Sequence, residues 1–398
     1  MSQFSNKYAI VGSGTVIGPV EGVTSRALTA EAARLAIEDA GVDPKQVKGA
    51  LEPIREGGGG IRESYTDAFP RVLGLGVNTY LRIGQRGASL AAPSLLAAAQ
   101  MLDLGLTDYV VVASGVEDRT RSRRTKKSNK LGMVHIDKGG YWGKPFGDMR
   151  AVSHHSFFMT RHKHEYGTTD EQMAMVPMSA RKWAALNPLA QLKDRPLSME
   201  DYLAEDYFVW PYRRTDLCVL TDGAVAFVMT TAERAKDLAR PPVYLKGLGF
   251  GEHAEDAWWE GRQHHALPLH TGRDHAFRQA GVELSDIDFA QVPDCFTAEV
   301  ILHVEDYGWC KKGEGAAYIA EGRIAPGGDT PINTFGGWLA GYHLGDMGGF
   351  SEAVTQLRGE GGARQVKDAK VGIVAGGGGE YLSPGMCSLH STIVLGSE

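Results

Sequence analysis

Residues 336–350 read GGWLAGYHLGDMGGF, six glycines around one tyrosine and one histidine. Glycine at that density lets a backbone turn where a Cβ would clash, or come close to a ligand. Tyr342 and His343 are the groups in the run that can move protons. An imidazole titrates near neutral pH and suits proton transfer without tuning. A phenol, with an ordinary pKa of about 10, needs an oxyanion environment to help it. Two carboxylates have a place beside them, and each has two readings. Asp294 is a turn or N-cap residue before FTAEVILHVEDYG, or it orients His343. Asp346 bonds loop amides, or it is the orienting partner.

Other groups offer less. His155 and His162 lie seven apart, on one helical face, yet no acidic third ligand stands at matching spacing. Cys218, Cys295, Cys310 and Cys387 are scattered without a CxxC pair, which favours buried free thiols over disulfides or a zinc site built by this chain alone. No metal is therefore expected. Runs of four glycines at 57–60 and 376–379 lack the Lys-Ser/Thr of a phosphate loop. The first reads as a surface loop; in the second, Gly377 and Gly378 lie at the end of a strand. The stretch RTRSRRTKKSNK (119–130) carries seven Lys or Arg in twelve residues. It is a solvated loop, or a surface for phosphates or a partner. Trp258 and Trp259 read as core packing, or as the cap of a large apolar pocket.

A chain of 398 residues, 43% hydrophobic and 23% charged, suits two domains or two similar halves. Its net charge of −6 gives no reason to expect nucleic acid or an anionic membrane. There is no apolar run of membrane-spanning length, and MSQFSNKYAIVGSG lacks a charged n-region with an apolar core. A cytoplasmic location is expected. Two segments then repeat each other. AEAARLAIEDAGVDPKQVKGALE and, much later, GRDHAFRQAGVELSDIDFAQVPD each run from a helix through an AGV turn into a strand. TDYVVVASGVE (107–117) and DAKVGIVAGGGGE (368–380) form a second pair in the same order, each preceded by a helical stretch. Unbroken β-branched strands alternating with helices indicate a parallel sheet covered on both faces. The halves are expected at 1–240 and 241–398, with an insertion over about 118–210.

Four stretches together resemble the thiolase superfamily, and its sterol-carrier-protein thiolase and lipid-transfer-protein branch in particular. They are YGTTDEQMAMVPMSARKWAALNPLAQLKDRPLSMEDYL (166–203), PYRRTDLCVLTDGAVAFVM (211–229), DCFTAEVILHVEDYGWCKKGEG (294–315) and INTFGGWLAGYHLGDMGG (332–349). The resemblance implies a five-layer αβαβα fold of two halves with a loop domain, a dimer, and a CoA-thioester ligand. It implies no tightly bound cofactor, coenzyme A being part of the substrate. A thiolase needs a nucleophilic cysteine at a helix start in its first half, where Ser89 stands here, and a second one before the late glycine run, where Val374 or Ala375 stands. The histidine usual before DCF is Pro293. Asn333, Gly336, Gly337 and His343 keep the family spacing. Claisen chemistry through an acyl-cysteine is thereby excluded as an expectation.

Within the branch, the chain is more similar to the side-chain-cleaving aldolases of steroid catabolism, which lack that cysteine and split a bulky β-hydroxyacyl-CoA by retro-aldol reaction. The resemblance implies Tyr342 or His343 as acid/base, depending on a one-residue register, with Asp294 beside them. His154 or His155 is placed towards the acyl pocket, and Ser89, Gly377 and Gly378 near the thioester. Ser89 either lends an oxyanion contact or fills the space of the lost cysteine. The basic run would meet CoA phosphates or a partner, and a small zinc-ribbon/OB-fold protein is implied as that partner. Two alternatives stay open: a thiolase-like acyltransferase or condensing enzyme using Ser89 or His343, and a non-catalytic scaffold subunit.

Overall fold

The two AGV turns end matching helices. Gly41 and Gly281 each take a left-handed φ, 64° and 68°, which a side chain would resist. In the computed structural model, which describes residues 5–18, 23–55, 68–85, 89–127, 151–252, 269–378 and 389–398, these helices are α1 (Ser25–Ala40) and α7 (Leu269–Ala280). Cys387, Trp258, Trp259, glycines 57–60 and the end of the basic run at 128–130 lie outside the described residues.

Strands β1 (Tyr8–Ile17), β2 (Gly49–Arg55), β3 (Thr79–Gln85) and β4 (Val110–Glu117) precede the insertion. At its end β5 (Tyr207–Val209) and β6 (Tyr212–Arg213) form a small hairpin. β7 (Asp222–Thr231), β8 (Val243–Glu252), β9 (Phe289–Gln291), β10 (Val371–Gly378) and β11 (Leu389–Gly396) follow. Apart from the hairpin, they form one sheet in the order β3-β2-β4-β7-β1-β8-β11-β10-β9. Read outward from its centre, β1-β7-β4-β2 is answered by β8-β11-β10-β9, so the sequence repeat is a repeat of topology. The halves meet edge to edge where Tyr8, Ala9 and Ile10 pair with Leu245, Tyr244 and Val243.

The expected parallel sheet is a mixed one. β2 runs parallel to β3 and β4, and β10 to β9, but β7 and β11 are antiparallel to their neighbours. Burial on both faces makes a strand apolar throughout whichever way its neighbours run, so the apolar run carries no information on direction.

Helices α2 (Phe69–Val72) and α3 (Ala91–Asp103) belong to the first half, α8 (Thr297–Tyr307) and α9 (Asp346–Leu357) to the second. α3 and α9 fill the middle of the molecule. Leu95, Leu102, Phe350 and Val354 pack there between Val112 and Phe227 of one half-sheet and Val374 and Ile393 of the other. α1 covers the outer face of the first half-sheet, α7 and α8 that of the second. The layers therefore run αβαβα. The outer helices sit unusually close: a Cβ at Gly12 would lie 2.0 Å from the Ala36 carbonyl oxygen of α1, and one at Gly249 1.9 Å from that of Gly272 in α7.

The insertion contributes α4 (Asp118–Lys127), α5 (Ala151–Tyr166) and α6 (Asp170–Ala185), the last opened by a Thr169–Gln172 capping box. His162 of α5 is buried, with Nδ1 on Thr168 Oγ1 (2.8 Å) and Nε2 on Glu305 Oε1 (2.8 Å), so it ties α5 to α8. His155 stacks on Phe296 at 4.4 Å. Among the described residues, no helix is long and apolar enough to cross a membrane.

Candidate active site

The glycine-rich run is held from three sides. Asn333, itself at φ 55°, accepts the Val292 N–H at 2.8 Å and so fixes the loop against the end of β9. Gly336 and Gly337 follow at φ 94° and 59° and lead into a single π-helical turn, Gly337–Gly341. Asp294 closes that turn: its carboxylate accepts the amides of Trp338 (2.7 Å) and Leu339 (3.3 Å). From the insertion, the Asn187 side chain donates to Phe335 O (2.9 Å), and the amides of Gln191 and Leu192 donate to Gly341 O and Ala340 O, both at 3.0 Å. Burial pushes the Asp294 carboxyl up to about 8, against the pull of the two amides.

Beyond this turn the chain extends, so consecutive side chains point to opposite sides. Tyr342 is 3% exposed and packs on Phe335 at 5.0 Å, within the middle layer; burial raises its hydroxyl pKa. His343 is half-buried and turns the other way. Its backbone N–H donates to Thr221 Oγ1 (2.8 Å), its ring lies flat on Trp338 at 4.5 Å and 11°, and its Nδ1 accepts the Gly345 N–H at 3.3 Å. With Nδ1 accepting, the neutral ring carries its proton on Nε2. That nitrogen lies 3.3 Å from Cys295 Sγ.

Cys295 stands directly across from Cys218. An isolated antiparallel bridge pairs Leu217 with Phe296, and the Cys218 N–H donates to Cys295 O at 2.9 Å. Asp216 anchors this crossing by accepting from Tyr202 Oη, the Arg213 amide and Thr297 Oγ1. The Cys218 and Cys295 sulfurs and a His343 ring nitrogen all lie within 4.8 Å of one another. The cysteines were expected as buried small hydrophobes. Cys218, Cys295 and Cys310 form no disulfide, but each is half-buried, and two of them face the imidazole. Spacing gave no sign of this trio, because an irregular crossing of distant segments assembles it; the C of DCF beside a retained histidine loop was the available cue.

At the start of α3, where a thiolase nucleophile would sit, Ser89 is fully buried and its hydroxyl meets Ser391 Oγ at 2.8 Å. The amides of Leu90 and Ala91 donate to Asp346 Oδ1 at 2.8 and 3.0 Å. The carboxylate thus occupies the helix pole that would otherwise lower the pKa of a nucleophile. Ala375 is 1% exposed. Gly377 and Gly378 close β10 opposite His390 and Leu389, with Pro293 as neighbour: a Cβ at Gly377 would lie 3.4 Å from its Cγ. Of the expected site residues, His343 has a partly open side chain. Asp294 bonds the turn that carries Trp338, Tyr342 faces the middle layer, and Ser89 sits beneath the surface.

Residues 265–397 match a thiolase C-terminal domain-like family model. A steroid side-chain-cleaving aldolase of Thermomonospora curvata is 30% identical over 367 residues, covering 90% of this chain and 92% of that protein. The chain belongs to the thiolase superfamily. Its place is in the sterol-carrier-protein thiolase branch, whose members among the similar proteins include a 17-hydroxy-3-oxo-4-pregnene-20-carboxyl-CoA lyase of Mycobacterium tuberculosis, 30% identical over 364 residues, 89% of this chain and 92% of that one. The solved Ltp2-ChsH2(DUF35) aldolase superposes with a TM-score of 0.84 at 29% identity, over 99% of both chains.

Proposed function

We propose that the protein is a CoA-thioester carbon–carbon lyase that cleaves a bulky β-hydroxyacyl-CoA, of steroid side-chain type, by retro-aldol reaction. One observation carries this reading: His343 stands half-open beside Cys295, while both acyl-cysteine positions are buried and hold no thiol. The names of the aldolase and lyase relatives support the substrate class.

The reaction moves one proton. The β-hydroxyl loses it, the Cα–Cβ bond breaks to leave a ketone and a thioester enolate, and the α-carbon takes a proton back. In this proposal the His343 Nε2–H donates to the thioester oxygen as the enolate forms. Cys295, as the thiolate that faces that N–H, is the base for the hydroxyl proton and returns it to the α-carbon. Tyr342 and Asp294 act on the loop: the ring braces it from the middle layer, and the carboxylate fixes the turn under Trp338. Gly377 and Gly378 line the approach of the thioester at the end of β10, with Ser89 buried behind Gly376. Helix α4 is fastened to Asp222 by the Thr120 amide (3.0 Å) and hydroxyl (2.7 Å), one residue from the threonine that holds His343, so Arg119, Arg121 and Arg123 suit the phosphates of CoA.

A dimer working with a small zinc-ribbon/OB-fold protein belongs to the same proposal, supported by the DUF35 component in the name of the solved aldolase. No tightly bound cofactor enters the scheme. The test is to incubate the purified protein, alone and with any copurifying partner, with a tertiary β-hydroxyacyl-CoA, and to follow ketone and shortened acyl-CoA by mass spectrometry. Stoichiometric appearance of both supports the lyase; acyl transfer to free CoA, or inertness within an intact complex, would overturn it.

A further inference from the structure

Cys218, Cys295 and His343 hold together a donor set that the retro-aldol scheme does not require as a set. We propose that these three side chains bind a soft divalent cation, Zn²⁺, as a Cys₂His site with a fourth position open, and that the ion there takes the imidazole out of proton transfer.

Thiolate sulfur and imidazole nitrogen are the ligands zinc prefers. At Zn–S of about 2.3 Å and Zn–N of about 2.0 Å, a tetrahedral ion spaces them roughly 3.5–3.8 Å apart. Cys295 Sγ and His343 Nε2 already lie 3.3 Å apart, and the three donor atoms lie within 4.8 Å of one another. Small side-chain rotations therefore close the set. The backbones behind them are fixed: the Leu217–Phe296 bridge holds the two cysteines opposite each other, and the Thr221 hydroxyl and the Trp338 face hold the histidine. All three residues are half-buried, which leaves an approach for the ion and room for a water or a substrate sulfur as fourth ligand.

Charge and protons balance. Each cysteine that carries a thiol proton releases it to solvent as its Zn–S bond forms, giving a neutral Zn(thiolate)₂ unit. The neutral imidazole moves its proton from Nε2 to Nδ1 so that Nε2 can bind. That shift gives up the Gly345 N–H contact at Nδ1, which at 3.3 Å is already at the long end for a hydrogen bond. Affinity is accordingly weaker than in a structural zinc site, whose second shell supports the ligand tautomer. Bound zinc leaves His343 no Nε2–H to donate, so it inhibits a reaction that uses one.

The binding geometry does not depend on the retro-aldol reading, and its test does not depend on turnover. The reduced, metal-free protein is titrated with Co²⁺ and, separately, with Zn²⁺ against a chromophoric zinc indicator. The expected result is a single tetrahedral cobalt site with thiolate-to-cobalt charge-transfer absorption, displaced by zinc. C218S and C295S should lose that absorption and at least about a hundredfold in zinc affinity, while C310S, outside the trio, should bind as the parent does. A cobalt spectrum without thiolate bands, or zinc affinity unchanged in C218S and C295S, overturns the site. If the protein proves to be a lyase, zinc should inhibit the parent far more than C218S, a residue with no part in the scheme; the metal titration stands or falls without that result.

Discussion

At the scale of single residues, the one-residue register between Tyr342 and His343 decides which group moves the proton. The glycine spacing made the run visible but left both residues eligible. A strand-like step after the π-helical turn separates them, sending Tyr342 to Phe335 and His343 to Cys295. If the imidazole is the catalyst, His343→Ala should lower kcat for β-hydroxyacyl-CoA cleavage by about 10²–10⁴-fold without loss of fold, judged by circular dichroism. Tyr342→Phe should keep kcat within about threefold and cost about 1 kcal/mol of stability, the scale of one buried hydrogen bond. The reverse pattern would put the proton on the phenol. The thiols show the opposite limit of legibility. Their roles depend on a crossing between the 217–219 segment and the DCF strand end, and neither residue type nor local spacing encodes it.

At the scale of elements, the loop owes its shape to glycines packed against a carboxylate. A Cβ at Gly337 would stand 2.0 Å from Asp294 Oδ2, and the residue's φ of 59° is strained for any side chain. Gly337→Ala should therefore cost at least about 3 kcal/mol in urea unfolding and, in protein that still folds, reduce cleavage by displacing His343. The repeated helices and strands were legible for a related reason. Gly41 and Gly281 stop α1 and α7 at equivalent points, and a C-cap glycine after a periodic helix is a local signal. Strand direction was not legible, since residues buried on both faces look alike in parallel and antiparallel neighbours. Asp294 lay between: its place before a helix suggested a cap, and it does bind amides, but those of the His343 turn rather than of α8.

At the scale of the whole molecule, buried carboxyls and imidazoles set how stability responds to pH. Burial holds folded Asp294 at about 8, against 3.8 for an unhindered aspartate. The folded chain therefore keeps a proton that the unfolded chain has released. Its contribution to stability is complete below about pH 4 and is lost as pH rises through about 8. Asp216, pushed up to about 6, adds to that slope at lower pH. His303 opposes it: burial lowers this imidazole from 6.5 to about 4, so its stabilising effect is lost as pH falls through that window. Burial lowers His390 well below 6.5 as well, so the Asp294 slope, up to about 1.4 kcal/mol per pH unit, prevails only above about pH 7. Urea midpoints should fall between pH 7 and 8, and Asp294→Asn, which mimics the protonated acid, should flatten that fall. An equal slope in the variant would mean the carboxylate is ionised in the folded state.

The flat stack of His343 on Trp338 also makes the site optically visible. An indole whose face is covered by an imidazole at 4.5 Å shares its excited state with that ring. A charge arriving on the imidazole, whether a proton or a metal ion, draws electron density from the excited indole and quenches its emission. Trp338 is 2% exposed, so a dissolved quencher reaches it poorly and the neighbouring ring dominates. Stopped-flow emission should thus time events at His343 without any added label. The part of the signal lost in Trp338→Phe is the part that belongs to the site.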